Sequence, residues 1–282
     1  MCLEYLEEVR YGKVFTCSRC NAIKYWRLGN GLQKCANCSF QQSVTKGTLF
    51  QDSHLPLKTW FHAIWWITSQ KTGVSALGLQ GVLGLGSYRT AWLMLHKIRK
   101  AMVVADRSLL GQEVEVDETL VGGLSPMKPG RDPDGKKLVV IAAEINGKKL
   151  GRIRMKHIPN ASTRVLTRFI KENIEMGALV HTDGWTGYLG LESKGFLHDR
   201  VWGDDIPIEE VMPHIHLVAS LFKRWLLGTH QGRCEAKYLG GYLEEFTFRF
   251  NRRTSKARGL LFYRVIQNAV NTQPVTYKAI KK

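Results

Sequence analysis

Val114-Glu115-Val116-Asp117-Glu118-Thr119-Leu120-Val121-Gly122-Gly123 decides how the rest of the chain is read. β-Branched and acidic residues alternate along it, the pattern of a half-buried strand, and the glycine pair ends it. Alternation puts Glu115 and Asp117 on one face and Val114 and Val116 on the other, so a carboxylate is presented at a sheet surface. A second run, Leu179-Val180-His181-Thr182-Asp183-Gly184-Trp185, is a short apolar strand with Asp183 where strand gives way to loop. Two aspartates at strand ends, brought together by a sheet, suit a divalent-metal site for phosphoryl transfer.

The segments between these two runs predict the sheet. Leu138 to Ile145 is an apolar run broken only by Glu144, a buried strand; Gly151 to Met155 is a more exposed one, and Asn146-Gly147 is the turn between them. Ser162 is a candidate cap for a helix to about Ile174, with Val165, Leu166, Phe169 and Ile170 inward and Arg164, Arg168 and Lys171 outward. The stretch from Leu124 to Lys137, rich in proline, glycine and basic residues, is expected to be an exposed loop that touches phosphates. Three strands, a helix and the Asp183 strand, with an antiparallel start and a helical crossover to a parallel neighbour, form the α/β arrangement of ribonuclease-H-like nucleases.

Upstream, Cys17-Ser18-Arg19-Cys20 and Cys35-Ala36-Asn37-Cys38 are two C-x-x-C knuckles a hairpin's length apart. Four thiolates at that spacing bind one tetrahedral structural zinc, and the metal folds a segment too small for a core of its own. A redox role is the competing reading of a single C-x-x-C; two pairs around Lys24-Tyr25-Trp26-Arg27 favour a zinc ribbon. From Leu57 to Met102 the period becomes helical. Trp60, Phe61, Ile64, Trp65 and Ile67 form one apolar stripe, and Val74–Leu83 and Tyr88–Lys100 two further helices joined through Gly84-Leu85-Gly86-Ser87, with Ser87 the expected cap. That is either a helix-turn-helix, whose second helix offers Arg89 and Lys97 to DNA, or a plain helical hairpin.

Composition narrows the partner. With 41 basic and 24 acidic residues in 282 the chain carries +17, which points to a polyanion. No run approaches the roughly 20 apolar residues of a membrane span, and no secretory signal opens the chain, so a cytoplasmic nucleic-acid protein is expected. Of six cysteines, four belong to the knuckles and Cys2 and Cys234 lie far apart, which is no secreted disulfide framework.

A third part of the site is sought in His214-Ile215-His216-Leu217-Val218-Ala219-Ser220-Leu221-Phe222-Lys223-Arg224-Trp225. On a helix, His216 and Lys223 are two turns apart on one face; a neutral histidine can complete a metal site and a lysine can steady phosphate charge. A lone histidine is also commonly a structural residue. With VEVDETLVGG, HTDGWTGY and HIHLVASLFKRWLLGTH followed by Tyr242-Leu243-Glu244-Glu245-Phe246-Thr247-Phe248-Arg249-Phe250-Asn251-Arg252-Arg253, the chain resembles the DDE-type transposases of bacterial insertion sequences, specifically the ISXO-type family with an N-terminal zinc ribbon. The resemblance covers nearly the whole chain. It implies an RNase-H-like core that uses two divalent ions, magnesium or manganese, to cut element ends and join the freed 3′ hydroxyl to target DNA.

Asp117 and Asp183 match the first two acids of that family. The third position varies among glutamate, asparagine and histidine; no carboxylate lies between His214 and Lys223, so His216 is taken as the third ligand and Lys223 as its companion, with Glu244 and Glu245 as the alternatives. Arg224, Arg249, Arg252, Arg253 and Lys256 are expected to track the DNA backbone. The expected organisation is a zinc ribbon over 1–50, a helical helix-turn-helix-like module over 51–108, the RNase-H-like domain over 109–270 and a basic tail over 271–282. The implied partners are double-stranded DNA, as element ends and target, and further copies of the chain, because two ends must meet. A regulator whose catalytic domain no longer cuts, and a nuclease acting by hydrolysis alone, are the alternative functions.

Overall fold

The computed structural model describes residues 1–12, 14–103, 107–122, 136–201, 211–232 and 234–281. They form two compact units, one of Met1–Val104 with Ser255–Lys282 and the other of Ala105–Thr254. Most of the expected loop from Leu124 to Lys137 lies outside the described residues.

The first unit begins with α1 (Cys2–Tyr11), a helix that the sequence reading did not anticipate, whose Leu6 is fully buried. Three short antiparallel strands follow, β1 (Tyr25–Arg27), β2 (Gln33–Cys35) and β3 (Gln41–Gln42), in the order β1-β2-β3. β1 and β2 are the hairpin expected between the knuckles. The helical stretch resolves into α2 (Leu57–Ser69), α3 (Ala76–Leu83) and α4 (Tyr88–Met102). Trp60, Ile64 and Ile67 of the apolar stripe are buried while Trp65 is about half exposed, packed edge-on to Phe262. Ser75 caps α3 by accepting the Gly78 N–H at 3.0 Å. Ser87 stands at the N-cap of α4, but its hydroxyl makes no capping bond; its carbonyl takes the Thr90 and Ala91 amides instead.

The second unit holds one sheet of five strands: β4 (Glu113–Val121), β5 (Lys137–Asn146), β6 (Lys149–His157), β7 (Leu179–Thr182) and β8 (Leu197–Arg200), in the order β6-β5-β4-β7-β8. β4, β5 and β6 are antiparallel, while β7 and β8 run parallel to β4. Gly147 takes the turn between β5 and β6 at φ 63°, a conformation without strain only for glycine. α5 (Thr163–Asn173) is the crossover to β7 and covers one face of the sheet with Leu166, Phe169 and Ile170, against Val114, Val116, Val140 and Ala142. α6 (Pro213–His230) and α7 (Ala236–Phe250) cover the other, where Ile215, Val218, Phe222, Leu243 and Phe246 meet Val139, Ile141 and Ala143. β5 is covered on both faces, which explains its apolar run. The expected ribonuclease-H-like arrangement is present.

After α7 the chain returns to the first unit as α8 (Arg258–Asn271) and α9 (Tyr277–Lys281). α8 packs on α1, α2 and α4, with Leu261, Val265, Ile266 and Ala269 buried. The second unit therefore ends near Thr254 rather than at the expected residue 270: the apolar face of α8 is complementary to the helical module, to which Asn268 also donates, through its amide, to the Ala101 carbonyl at 2.9 Å. The expected basic tail is in part the short helix α9. No described helix is long and apolar enough to cross a membrane.

Candidate active site

The parallel register of β4 and β7 builds the centre of the site. Glu115 pairs with His181, so continuing the register by two residues brings Asp117, midway along β4, beside Asp183, the residue just past the end of β7. Asp117 Oδ1 accepts the Glu118 N–H at 2.6 Å, and Asp183 Oδ1 accepts the Trp185 N–H at 3.0 Å, closing a turn that fixes the loop after β7. Both aspartates are half-buried. Tyr188, fully buried beneath them, donates its hydroxyl to Glu118 Oε1 at 2.9 Å. Burial, with the charges of Glu118, Asp117 and Asp183, pushes its phenol well above the usual range, so it stays a donor at every working pH.

α6 supplies the cation. Lys223 lies at an exposed position of the helix, yet desolvation around its ammonium and the nearby Lys136 lower its pKa, while the charge of Asp117 opposes the shift. Lysine and aspartate are thus within electrostatic reach of one another. Among the described residues, the four knuckle cysteines are the one group of three or more His, Cys, Asp or Glu whose ligand atoms all lie within 4.8 Å of each other. His216, exposed on α6, does not close with Asp117 and Asp183 into such a group. Two adjacent carboxylates are hard oxygen donors of the type divalent magnesium or manganese takes, so Asp117 and Asp183 fit the expected ions.

The alternative third ligands are committed elsewhere. Glu244 takes both terminal nitrogens of Arg107, each at 3.1 Å, and Glu245, 1% exposed, accepts Arg249 Nε at 3.0 Å. The expected DNA-tracking role of Arg249 is thereby corrected: its guanidinium is turned inward to neutralise a buried carboxylate. Arg252 lies over the Phe248 ring at 4.1 Å and donates to the Phe248 carbonyl. Arg253 lies over Phe250 at 4.2 Å and donates to the carbonyls of Gly151, Leu150 and Phe250. These two satisfy the carbonyls at the end of α7 and, through Arg253, bind it to β6. That is the fate of cations at a helix C-terminus. Arg224, by contrast, is exposed beside Lys223.

In the first unit, Cys17 and Cys35 are fully buried, and the Sγ separations of 3.7 Å for Cys17–Cys38 and 3.6 Å for Cys20–Cys35 are far beyond a disulfide. They match the edge of about 3.8 Å expected for a tetrahedron of sulfurs about 2.3 Å from zinc. The Arg19 and Asn37 amides point at Cys17 and Cys35 Sγ, each at 3.4 Å, and the Ala22 N–H leads in drawing the Cys20 thiol down to about 6. Arg89 is exposed at the start of α4 with its guanidinium 4.0 Å from the Tyr277 ring centroid, so the last helix covers one side of it. Lys97 departs from expectation: it is half-buried, and desolvation lowers its pKa while the charge of Asp52 opposes the shift. A buried-side lysine of the helical core is a poor reader of bases.

The ISXO2-like transposase domain matches residues 108–251, and the transposase zinc-ribbon domain matches residues 1–41. The chain belongs to the ISXO2-like transposase family. A protein of the transposable element ISH50 from Halobacterium salinarum, itself uncharacterised, is 25% identical over 267 residues, covering 86% of this chain and 88% of that protein. Among solved structures, the catalytic core domain of BIV integrase is 13% identical with a TM-score of 0.33, covering 52% of this chain and 85% of that one. A chain of the simian T-cell lymphotropic virus intasome, also 13% identical at a TM-score of 0.33, covers 67% of this chain and 65% of its own. For this transposase-family chain the sheet order on its own carries the fold. The zinc-ribbon match agrees with the four-sulfur cluster, and a transposase acts on DNA, which the charge of +17 suits. His214 and Tyr188 were not singled out by sequence, and Glu115 was placed on the face of Asp117 without a role; the signal for Tyr188 was its place five residues after Asp183 in the same motif.

Proposed function

We propose that this protein cuts the ends of its insertion element and joins the resulting 3′ hydroxyl to target DNA by metal-dependent phosphoryl transfer. The observation that carries the reading is the parallel register that sets Asp117 beside Asp183, with Lys223 within reach of Asp117's charge. Asp117 and Asp183 would hold the divalent ions, magnesium or manganese, with His216 as the third donor. Bound there, such ions supply the Lewis acidity that activates an attacking oxygen and stabilises a leaving one. Lys223 steadies the charge of the scissile phosphate, Arg224 holds the flanking backbone, and the buried Tyr188–Glu118 pair keeps the floor of the site rigid. Two ends must be held together, so the protein works as a dimer or larger assembly. Arg89 contributes end binding from the helical module.

Strand transfer of labelled duplexes carrying the termini of the element that encodes the protein, into plasmid, with magnesium and then manganese, tests this. The wild type should form joined product, Asp117→Asn should lose it by at least 1,000-fold, on the order of removing a catalytic metal ligand, and His216→Ala should lose it too. Cleaved ends without joining would make the protein a hydrolytic nuclease. Bound ends without either product would refute catalysis by this chain.

A further inference from the structure

The groups assigned above leave out a buried carboxylate next to them. Glu115 is 4% exposed and sits two residues before Asp117 on the same face of β4. Its two oxygens are used separately: Oε1 is 2.7 Å from His214 Nδ1, and Oε2 accepts the Ile215 N–H at 2.9 Å. Both partners lie in the first turn of α6, which starts from Met212 at φ 54° with Pro213 at its first position and has no side-chain cap of its own. Helix amides in the first turn need acceptors, and a negative charge is favoured at that end. Here the acceptor comes from the strand across the interface. One carboxylate gripping both a side chain and a backbone amide fixes where the helix begins and how it is rotated.

We propose that Glu115 is a positioning residue that latches the first turn of α6 to β4, and so fixes the helix that carries His216 and Lys223 relative to the strand that carries Asp117. The inference rests on the active-site reading given above. Only four bonds' worth of side chain separate the Asp117 strand from the helix start, so loss of the latch leaves the first turn of α6 resting on its apolar face. That face fixes the depth of the helix on the sheet and leaves it able to slide and turn, because dispersion contacts are non-directional whereas hydrogen bonds are not.

The test compares Glu115→Ala, Glu115→Gln and His214→Ala with the wild type by hydrogen exchange over residues 211–222, melting temperature, end-DNA affinity, and single-turnover strand transfer at saturating manganese and DNA. Expected for Glu115→Ala is faster exchange confined to the first turn of α6, a melting temperature and end affinity close to wild type, and a transfer rate lower by roughly 10–100-fold, as for loss of an outer-shell partner. Glu115→Gln keeps an acceptor for the Ile215 amide and should recover most of the rate; His214→Ala should fall between. A wild-type rate in Glu115→Ala overturns the proposal, as does a parallel loss of melting temperature, affinity and rate in both Glu115 variants, which would mark a merely structural role. Full activity in Asp117→Asn would instead overturn the active-site reading, while the exchange result would still report on the latch.

Discussion

At the scale of single residues, the second unit shows how a strongly basic chain spends part of its charge inside. Arg249 lies against Glu245 at 2.9 Å, and truncating it takes a charge-assisted partner away from a carboxylate that is 1% exposed. Arg249→Ala is therefore expected to cost about 3–5 kcal/mol in urea unfolding, with end-DNA affinity of the folded fraction unchanged. Glu144 makes a similar commitment on the far side of the sheet: it accepts Arg152 Nε at 2.9 Å and the Gly111 N–H at 3.2 Å. The Arg152 guanidinium holds its carboxyl below the usual range. A lowered folded pKa means that the stabilisation is complete above the unfolded value, about 4.3, and is lost as pH falls through the folded one. Glu144→Gln should cost about 1–3 kcal/mol at pH 7, and the gap from wild type should close in unfolding titrations run towards acid pH.

At the scale of elements, the zinc ribbon and β4 contrast. β1, β2 and β3 are two or three residues each, and among the described residues their local cluster is Phe15, Cys17 and Cys35 with a few half-buried neighbours. Such a segment depends on its metal for folding. Chelation of zinc, or Cys35→Ser, is expected to abolish hydrogen-exchange protection over residues 14–42 while leaving β4 and β5 protected. β4 needs no metal to form, because it is central in its sheet, hydrogen-bonded on both edges by β5 and β7. That central place is what brings a carboxylate from each of two strands to one spot.

At the scale of the whole molecule, the chain leaves its first unit, builds the second and comes back. α8 supplies Leu261, Val265, Ile266 and Ala269 to the same core as α1, α2 and α4, and the Leu49 amide donates to the Ala269 carbonyl at 3.0 Å. A fragment of residues 1–104 alone therefore exposes the apolar face that α8 covers. It is expected to be unfolded or aggregated by circular dichroism and light scattering, and to fold when residues 255–282 are joined to it by a flexible linker. Domain boundaries drawn by composition miss this, since a return crossing leaves no local mark in the sequence.

What the sequence determined by itself was everything written in periodicity and spacing: the alternation that puts Glu115 and Asp117 on one face, the apolar run of β5, the Asn146-Gly147 turn, the crossover helix α5, the two cysteine knuckles, and Asp183 at a strand end. These are local consequences of backbone geometry and ligand chemistry, and they extend to the order of the sheet because connections are short and crossovers one-handed. Only the tertiary structure decided which charges face outward. Arg249, Arg253 and Lys97 read as DNA contacts in a chain of +17, yet each is engaged by a glutamate, by carbonyls or by the core of its own unit. The tertiary structure also decided that Glu115 would hold α6 and that α8 would close the first unit. The last two pairings join residues about a hundred or more positions apart, whose partners are chosen by the packing of whole elements and leave no trace in the local pattern of either segment.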